Sequence, residues 1–310
     1  MRFSPNVRQW LPWLVTAVAL AYVVRTATEQ DAWAALVAEG IHSQIQQPLW
    51  LVGLIAFLPL NLGLEITKWH ALRQNPEKTW AKSGREVLYG ALWALITPNR
   101  TGDAIARVAL LPEHERAGGA RAWAVGAWSQ AGWTLTWGCV AALAICTTAA
   151  WGPGFDLPSP GGWALGTAAL AAGWWALPWL LRQGKLARWS RRFPGLNEPL
   201  AGVKYAQQIG LSSARYLVFS SQFACALVAW GFEFDASLLV AIAAVYWGNM
   251  IMPTAALAEL GVREALVVAW FNSQTDALIP LLAATFSVWM VNLFLPACVG
   301  GVLHLTRSHG

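Results

Sequence analysis

Ile96-Thr97-Pro98-Asn99-Arg100-Thr101-Gly102-Asp103-Ala104-Ile105-Ala106-Arg107 closes one apolar run and opens another. Pro98 has no N–H and pushes Thr97 out of the helical region. Gly102 permits a turn or a close backbone approach. A helix that starts near Thr101 directs free N–H groups and a positive dipole end at the break. With Arg100 beside it, such an end binds phosphate or carboxylate. Asp103 and Arg107 are four apart and share one helix face. In lipid, a helix break exposes backbone groups, and a charge near the midplane costs roughly 2.5–3.5 kcal/mol on insertion scales. A plainer reading stands beside this one: an interfacial loop in which Asp103 caps a helix and pairs with Arg107.

A second break has the same ingredients. It runs from Met252-Pro253-Thr254 to Glu259-Leu260-Gly261-Val262-Arg263-Glu264. Glu259 and Arg263 are also four apart, and two acids with one base between apolar runs mark a functional site by default. The plainer alternative is a self-neutralising pair that holds two helix ends together. A third polar cluster, Asn61, Glu65, Lys68 and Trp69, ends the second apolar run. Asn61 and Glu65 share a face, as do Glu65 and Trp69. Glu65 either lies inside the bundle opposite an arginine or snorkels to the surface. Gln130 and Thr134 form a one-face polar stripe suited to hydrogen bonds between helices.

The surroundings of these breaks decide the class. The chain has 310 residues, 56% hydrophobic and only 12% charged. That is about half the charged share of a soluble domain. The longest hydrophilic stretches, 68–85 and 182–204, are too short to fold alone, so one transmembrane domain over 1–310 is expected. Tryptophan is abundant, at 21 residues. Trp10, Trp13, Trp50, Trp69, Trp80, Trp123, Trp163, Trp179, Trp189, Trp230 and Trp270 lie where apolar runs meet polar residues, which predicts a headgroup-level belt. Cys139, Cys146, Cys225 and Cys298 sit singly, with no disulfide expected. The net charge of +5 comes from residues flanking apolar runs, which points to lipid and topology and not to nucleic acid. The first run has no cleavage-site pattern and is read as a retained helix.

Apolar runs are expected at 10–24, 48–66, 86–98, 123–150, 163–181, 216–230, 237–252, 264–271 and 278–305. The third and eighth are too short to cross a bilayer, and each adjoins a break. Short, interrupted segments in corresponding halves point to a midplane binding site. Basic residues cluster at 2–8, 68–85, 100–121 and 182–204, so both termini are expected on the cytoplasmic side of the inner membrane. That bookkeeping makes 86–107 and 253–275 re-entrant or broken hairpins, one in each half (1–150 and 151–310). The fold expected is an all-α polytopic membrane protein. It has about seven or eight transmembrane helices and two hairpins, with an echo between the breaks that hints at an inverted pseudo-repeat. Residues 185–193 and 200–215 read as amphipathic helices on the cytoplasmic leaflet, with a plain basic loop as the alternative for the first.

Enzyme signatures do not emerge. The five histidines form no metal-ligand spacing, and there is no G-x-S-x-G and no phosphate-binding loop. No catalytic set, metal or cofactor is therefore expected.

At these motifs the chain resembles a known family. Thr97-Pro98-Asn99-Arg100-Thr101-Gly102-Asp103 with Arg107 is similar to the P-x-R-x-G-E…R motif of the lysylphosphatidylglycerol synthase transmembrane-domain (flippase-like) family. Glu259-Leu260-Gly261-Val262-Arg263-Glu264 resembles its G-x-G-V-R-E signature. Asn61, Glu65 and Lys68-Trp69 resemble its N…E…KW segment, and Ser129-Gln130 with Thr134 its S-Q…T. Asp103 replaces the usual Glu, and Glu259 stands where many members have Gly. In bifunctional relatives this region accommodates an aminoacylated phospholipid that a cytosolic domain makes. The chain ends at Gly310 without that domain, so synthase activity is not expected. Stand-alone members are linked to translocation of lipids or lipid carriers.

The expected function is a lipid-headgroup transporter or flippase. Its binding residues would be Glu65, Lys68, Asn99, Arg100, Gly102, Asp103, Arg107, Gln130, Glu259, Gly261, Arg263 and Glu264. Its partner would be a membrane phospholipid or polyprenyl-linked lipid, with a homo-oligomer in prospect. The alternatives are an intramembrane lipid-modifying enzyme and a non-transporting subunit of a membrane complex.

Overall fold

A computed structural model describes residues 14, 17–26, 28, 45–73, 78–97, 100–148, 160–180, 202–252, 259–271 and 278–306. At 160, 180, 202–203 and 259–260 it describes the backbone alone. Every regular element among these residues is helical. In chain order they are α1 (Ala17–Thr26), α2 (Leu49–Leu72), α3 (Trp80–Ile96), α4 (Thr101–Ala109) and α5 (Glu113–Thr147). Then come α6 (Pro160–Leu180), α7 (Gly202–Ala229), α8 (Ala236–Ile251), α9 (Glu259–Phe271) and α10 (Leu278–Leu305). Two of these, α2 and α10, are long and apolar enough to cross a bilayer.

The apolar core lies where α7 meets α2, α5, α8 and α10, with α9 packed on α8 and α10. Leu54, Ala141, Phe223, Leu227, Ile242, Val267 and Val288 are buried in it. α7 ends in a Schellman motif. Gly231 takes φ +100, its N–H reaches the Val228 carbonyl, and the Phe232 N–H reaches Leu227. The Ala229 carbonyl then accepts from Gln46 and Gln47, which ties the start of α2 to the end of α7. Asp235 caps α8 by accepting from the Leu238 N–H at 2.8 Å.

The first break is a helical hairpin. α3 and α4 pack on one another, with Gly102 against the Trp93 carbonyl and Thr97, and Gly90 against Asp103 and Arg107. A methyl group at either glycine would collide, so the two legs approach as only glycine allows. One hydroxyl closes the turn: Thr97 Oγ1 donates to the Trp93 carbonyl and accepts from the Gly102 N–H, both at 2.7 Å. Arg100 between the legs is left-handed, at φ 54 and ψ 27. The second break has α8 and α9 packed together as its legs; residues 253–258 and 272–277 lie outside the described residues.

Several expectations change. Residues 86–96 of the short run at 86–98 are one part of a 17-residue helix, and the run at 264–271 is part of a 13-residue one. Residues 202–215 do not form a separate amphipathic helix. They are the first half of α7, with Gln208 and Ser212 buried against α2 and α5. Residues 185–193 lie outside the described residues, as do Trp10, Trp13 and Trp189. The tryptophans divide. Trp50, Trp80 and Trp179 are exposed as a belt requires, but Trp69, Trp230 and Trp270 are buried. Indoles also bond helix to helix: Trp128 and Trp174 each donate to the other's carbonyl, at 3.2 and 2.9 Å. Each of these half-buried indoles takes a neighbouring backbone carbonyl as its acceptor.

Candidate functional site

A polar cavity opens between the first hairpin, α2, α5, α7, α8, α9 and α10. It has two lobes, of about 380 and 590 Å3, which share Asn61, Arg100, Gln130, Thr134, Arg215, Met250 and Asn292. The smaller lobe adds Glu65, Lys68, Asp103 and Arg107. The larger adds Tyr246, Asn249 and Arg263. Arg100 of the first break and Arg263 of the second thus line the same lobe, and Asp103 and Arg107 line the lobe that adjoins it. Among the described residues it is lined by five cations, Lys68, Arg100, Arg107, Arg215 and Arg263, and two carboxylates, Glu65 and Asp103.

The i, i+4 spacing of α4 places Arg107 Nε 2.7 Å from Asp103 Oδ1. The same guanidinium reaches Glu65 Oε1 of α2 at 2.9 Å and stands over the Trp69 ring, 5.6 Å from its centroid. Trp123 of α5 donates to Asp103 Oδ2 at 2.8 Å. Glu65 Oε2 faces Arg215 at 3.4 Å and Lys68 at 3.6 Å. Lys68, only 3% exposed, also donates to the Gly126 carbonyl and to Gln130 Oε1. Such a cluster is held by mutual neutralisation, and removing one partner leaves a buried charge.

A layer of amides continues the network inward. Asn61 Nδ2 donates to Gln222 Oε1 at 3.1 Å and to Asn292 Oδ1 at 2.9 Å, while Asn61 Oδ1 accepts from Arg215 Nε. Asn292 reaches the cavity from a π-helical turn, Met290–Phe294, in which the Leu295 N–H bonds the Met290 carbonyl. Its cause is in the sequence. Pro296 has no N–H to give the Asn292 carbonyl, so the α ladder fails there.

Beside the cavity, a second ion cluster ties the helices together. Arg73 Nη1 donates to both oxygens of Glu86, at 2.8 and 2.9 Å, and Nη2 donates to Glu115 at 2.9 Å. Trp69 Nε1 donates to the same Glu86 at 2.6 Å. Lys78 donates to the carbonyls of His70 and Arg73, closing the C-terminus of α2. Burial, then the nearby Lys204 and Arg73, lower its pKa.

The expected site residues therefore fall into groups. Glu65, Lys68, Arg100, Asp103, Arg107, Gln130 and Arg263 all line the cavity. Glu65 is inside the bundle and paired with arginines, not snorkelled. Gln130 borders the open space and bridges to α2 and α7, whereas Thr134 borders it but donates back to the Gln130 carbonyl of its own helix. Gly102 does not line it; it is buried between the hairpin legs. Gly261 does not line it either, since its Cα faces Leu20 of α1. Glu264 is half-buried and borders neither lobe. Asn99 and the Glu259 side chain lie outside the described residues.

Arg215, Asn292, Tyr246, Asn249 and Trp123 belong to the site and were not expected there. A signal existed for the first. Gln208, Ser212, Arg215 and Gln222 recur at helical spacing and form one polar stripe on α7. No protein-family model, curated protein or solved structure matches the chain.

Proposed function

We propose that the protein is a polytopic inner-membrane transporter that holds the phosphate-bearing headgroup of a lipid in this cavity and carries it across the bilayer. One observation carries the reading: cations from both broken segments, Arg100 from the first and Arg263 from the second, line the same larger lobe, and Arg107 lines the lobe that adjoins it. Arginine forks match phosphate oxygens, and a ligand anion can take over contacts that Glu65 and Asp103 hold in this structure. The walls supply the lipid side of the argument. α2 presents Leu49, Val52, Ile55 and Leu60 outward, and α10 presents Leu295, Val299, Val302 and Leu305. Exposed apolar faces of this extent fit contact with acyl chains. In this reading seven or eight helices span, both hairpins re-enter, and both termini are cytoplasmic. The lipid is a phospholipid or a polyprenyl-linked lipid.

The test is translocation of a fluorescent phospholipid in vesicles that contain the purified protein. Wild type moves the lipid between leaflets, and Arg100→Ala and Arg263→Ala lose most of that movement. If both variants match wild type, the site is wrongly placed. If wild type moves neither a phospholipid nor a polyprenyl-linked lipid, the transport reading is wrong.

A further inference from the structure

We infer that the cavity selects a headgroup that is a phosphate ester without an ammonium group, and discriminates against amine-bearing headgroups. The inference rests on the headgroup reading above and narrows it. It runs against the aminoacylated lipid that the motif resemblance implies for bifunctional relatives.

The argument starts from the carboxylates, which are what an ammonium would seek. Both are occupied. Asp103 gives one oxygen to Arg107 and the other to the Trp123 indole. Glu65 gives one oxygen to Arg107 at 2.9 Å and turns the other toward Arg215 and Lys68. An incoming ammonium must displace a resident cation, in a cavity where cations already outnumber carboxylates five to two among the described residues. A phosphate meets the opposite situation, since each oxygen it brings adds an acceptor beside cations.

Gln130 supplies an independent observation. Its Oε1 accepts from Lys68 at 3.3 Å and from Arg215 at 3.4 Å, which fixes the orientation of the amide. Its Nε2 is then turned away from them, buried and without a hydrogen-bond partner. A buried donor without an acceptor is costly, and Gln130 borders both lobes. A phosphate or hydroxyl oxygen that reaches Nε2 satisfies it; an ammonium, which only donates, cannot.

The same chemistry could come from a lipid or from a soluble phosphate ester, so the experiment has both arms. Purified protein in neutral detergent is titrated with dioctanoyl phosphatidylglycerol, dioctanoyl phosphatidylethanolamine, dioctanoyl lysylphosphatidylglycerol and glycerol 1-phosphate. Tryptophan fluorescence reports binding. Phosphatidylglycerol is expected to bind at least about tenfold tighter than either amine-bearing lipid, the weight of one charge-assisted hydrogen bond. Gln130→Glu keeps an acceptor for Lys68 and Arg215 but removes the donor and adds a negative charge. It is expected to erase most of the preference. Arg100→Gln, at an exposed position, weakens phosphatidylglycerol by about tenfold and the amine-bearing lipids less, whatever the fate of the Gln130 variant. Equal or tighter binding of either amine-bearing lipid by wild type overturns the inference and leaves the headgroup reading standing. Glycerol 1-phosphate binding as tightly as phosphatidylglycerol preserves the charge preference and overturns the lipid reading.

Discussion

Glu65 of α2 and Arg107 of α4 meet at 2.9 Å although 42 residues separate them in sequence. This contact joins the first hairpin to a helix long and apolar enough to span a membrane, and it also closes one wall of the cavity. Arg107 is 5% exposed, so its removal strands two carboxylates, Glu65 and Asp103, with less compensation. Arg107→Ala is expected to cost roughly 3–5 kcal/mol, as for other broken buried pairs. Combined with Glu65→Gln, the loss should fall short of the sum by about 0.5–3 kcal/mol, because the second change removes the stranded charge. Thermal unfolding of the four proteins in detergent measures this. Strict additivity would show that the two residues do not act as a pair.

Arg100 carries a different tension. It is the one non-glycine residue with positive φ among the described residues, and it lines both lobes. Left-handed backbone costs an ordinary residue roughly 1–2 kcal/mol. Local strain of this kind persists where the surrounding structure demands it, and it clusters at functional sites. Arg100→Gly should relieve the strain and stabilise the protein by about 1 kcal/mol, net of the freer unfolded chain. Arg100→Ala keeps the strain and gains nothing. Both variants should lose lipid translocation alike. A melting temperature for Arg100→Gly at or below that of Arg100→Ala would remove strain from the account.

The contrast between these residues and Arg215 explains what a linear reading could reach. Thr97-Pro98 and Gly102 announce a break through backbone rules that act within a few residues, and the hairpin is there. The pairs Asp103 with Arg107 and Asn61 with Glu65 follow from helical spacing alone, and both face the cavity. Arg215 meets Asn61 across 154 residues, and nothing local says so. A basic residue in a greasy helix reads equally well as a leaflet contact, so its place on the cavity wall had to come from the fold. Trp69 misled in the same way. An indole at the end of an apolar run looks like a belt anchor until Glu86 is seen to accept its N–H. Gly261 sits in a motif that invites a ligand, but the closeness it serves is that of Leu20 on α1.

The last prediction concerns the π-helical turn that brings Asn292 to Asn61. In a regular α-helix the amide of residue 296 would bond the Asn292 carbonyl, and each residue turns the helix by about 100°. Pro296 withholds that amide, and the extra residue in the turn resets the face that follows. Pro296→Ala restores the donor and removes the reason for the turn. Relaxation to an α-helix would rotate the Asn292 side relative to the rest of α10 and break its bond to Asn61. The expected result is a protein as stable as wild type, or more so by up to about 3 kcal/mol, that binds phosphatidylglycerol more weakly. Asn292→Ala should weaken binding to a similar degree, and adding it to Pro296→Ala should change little more, since both act by removing one amide from the cavity. Two further losses that simply multiply would mean that Pro296 acts on the site by another route than Asn292. Wild-type binding by Pro296→Ala would mean that the turn persists without the proline, held by the contacts of Met290–Phe294 with α3 and α2.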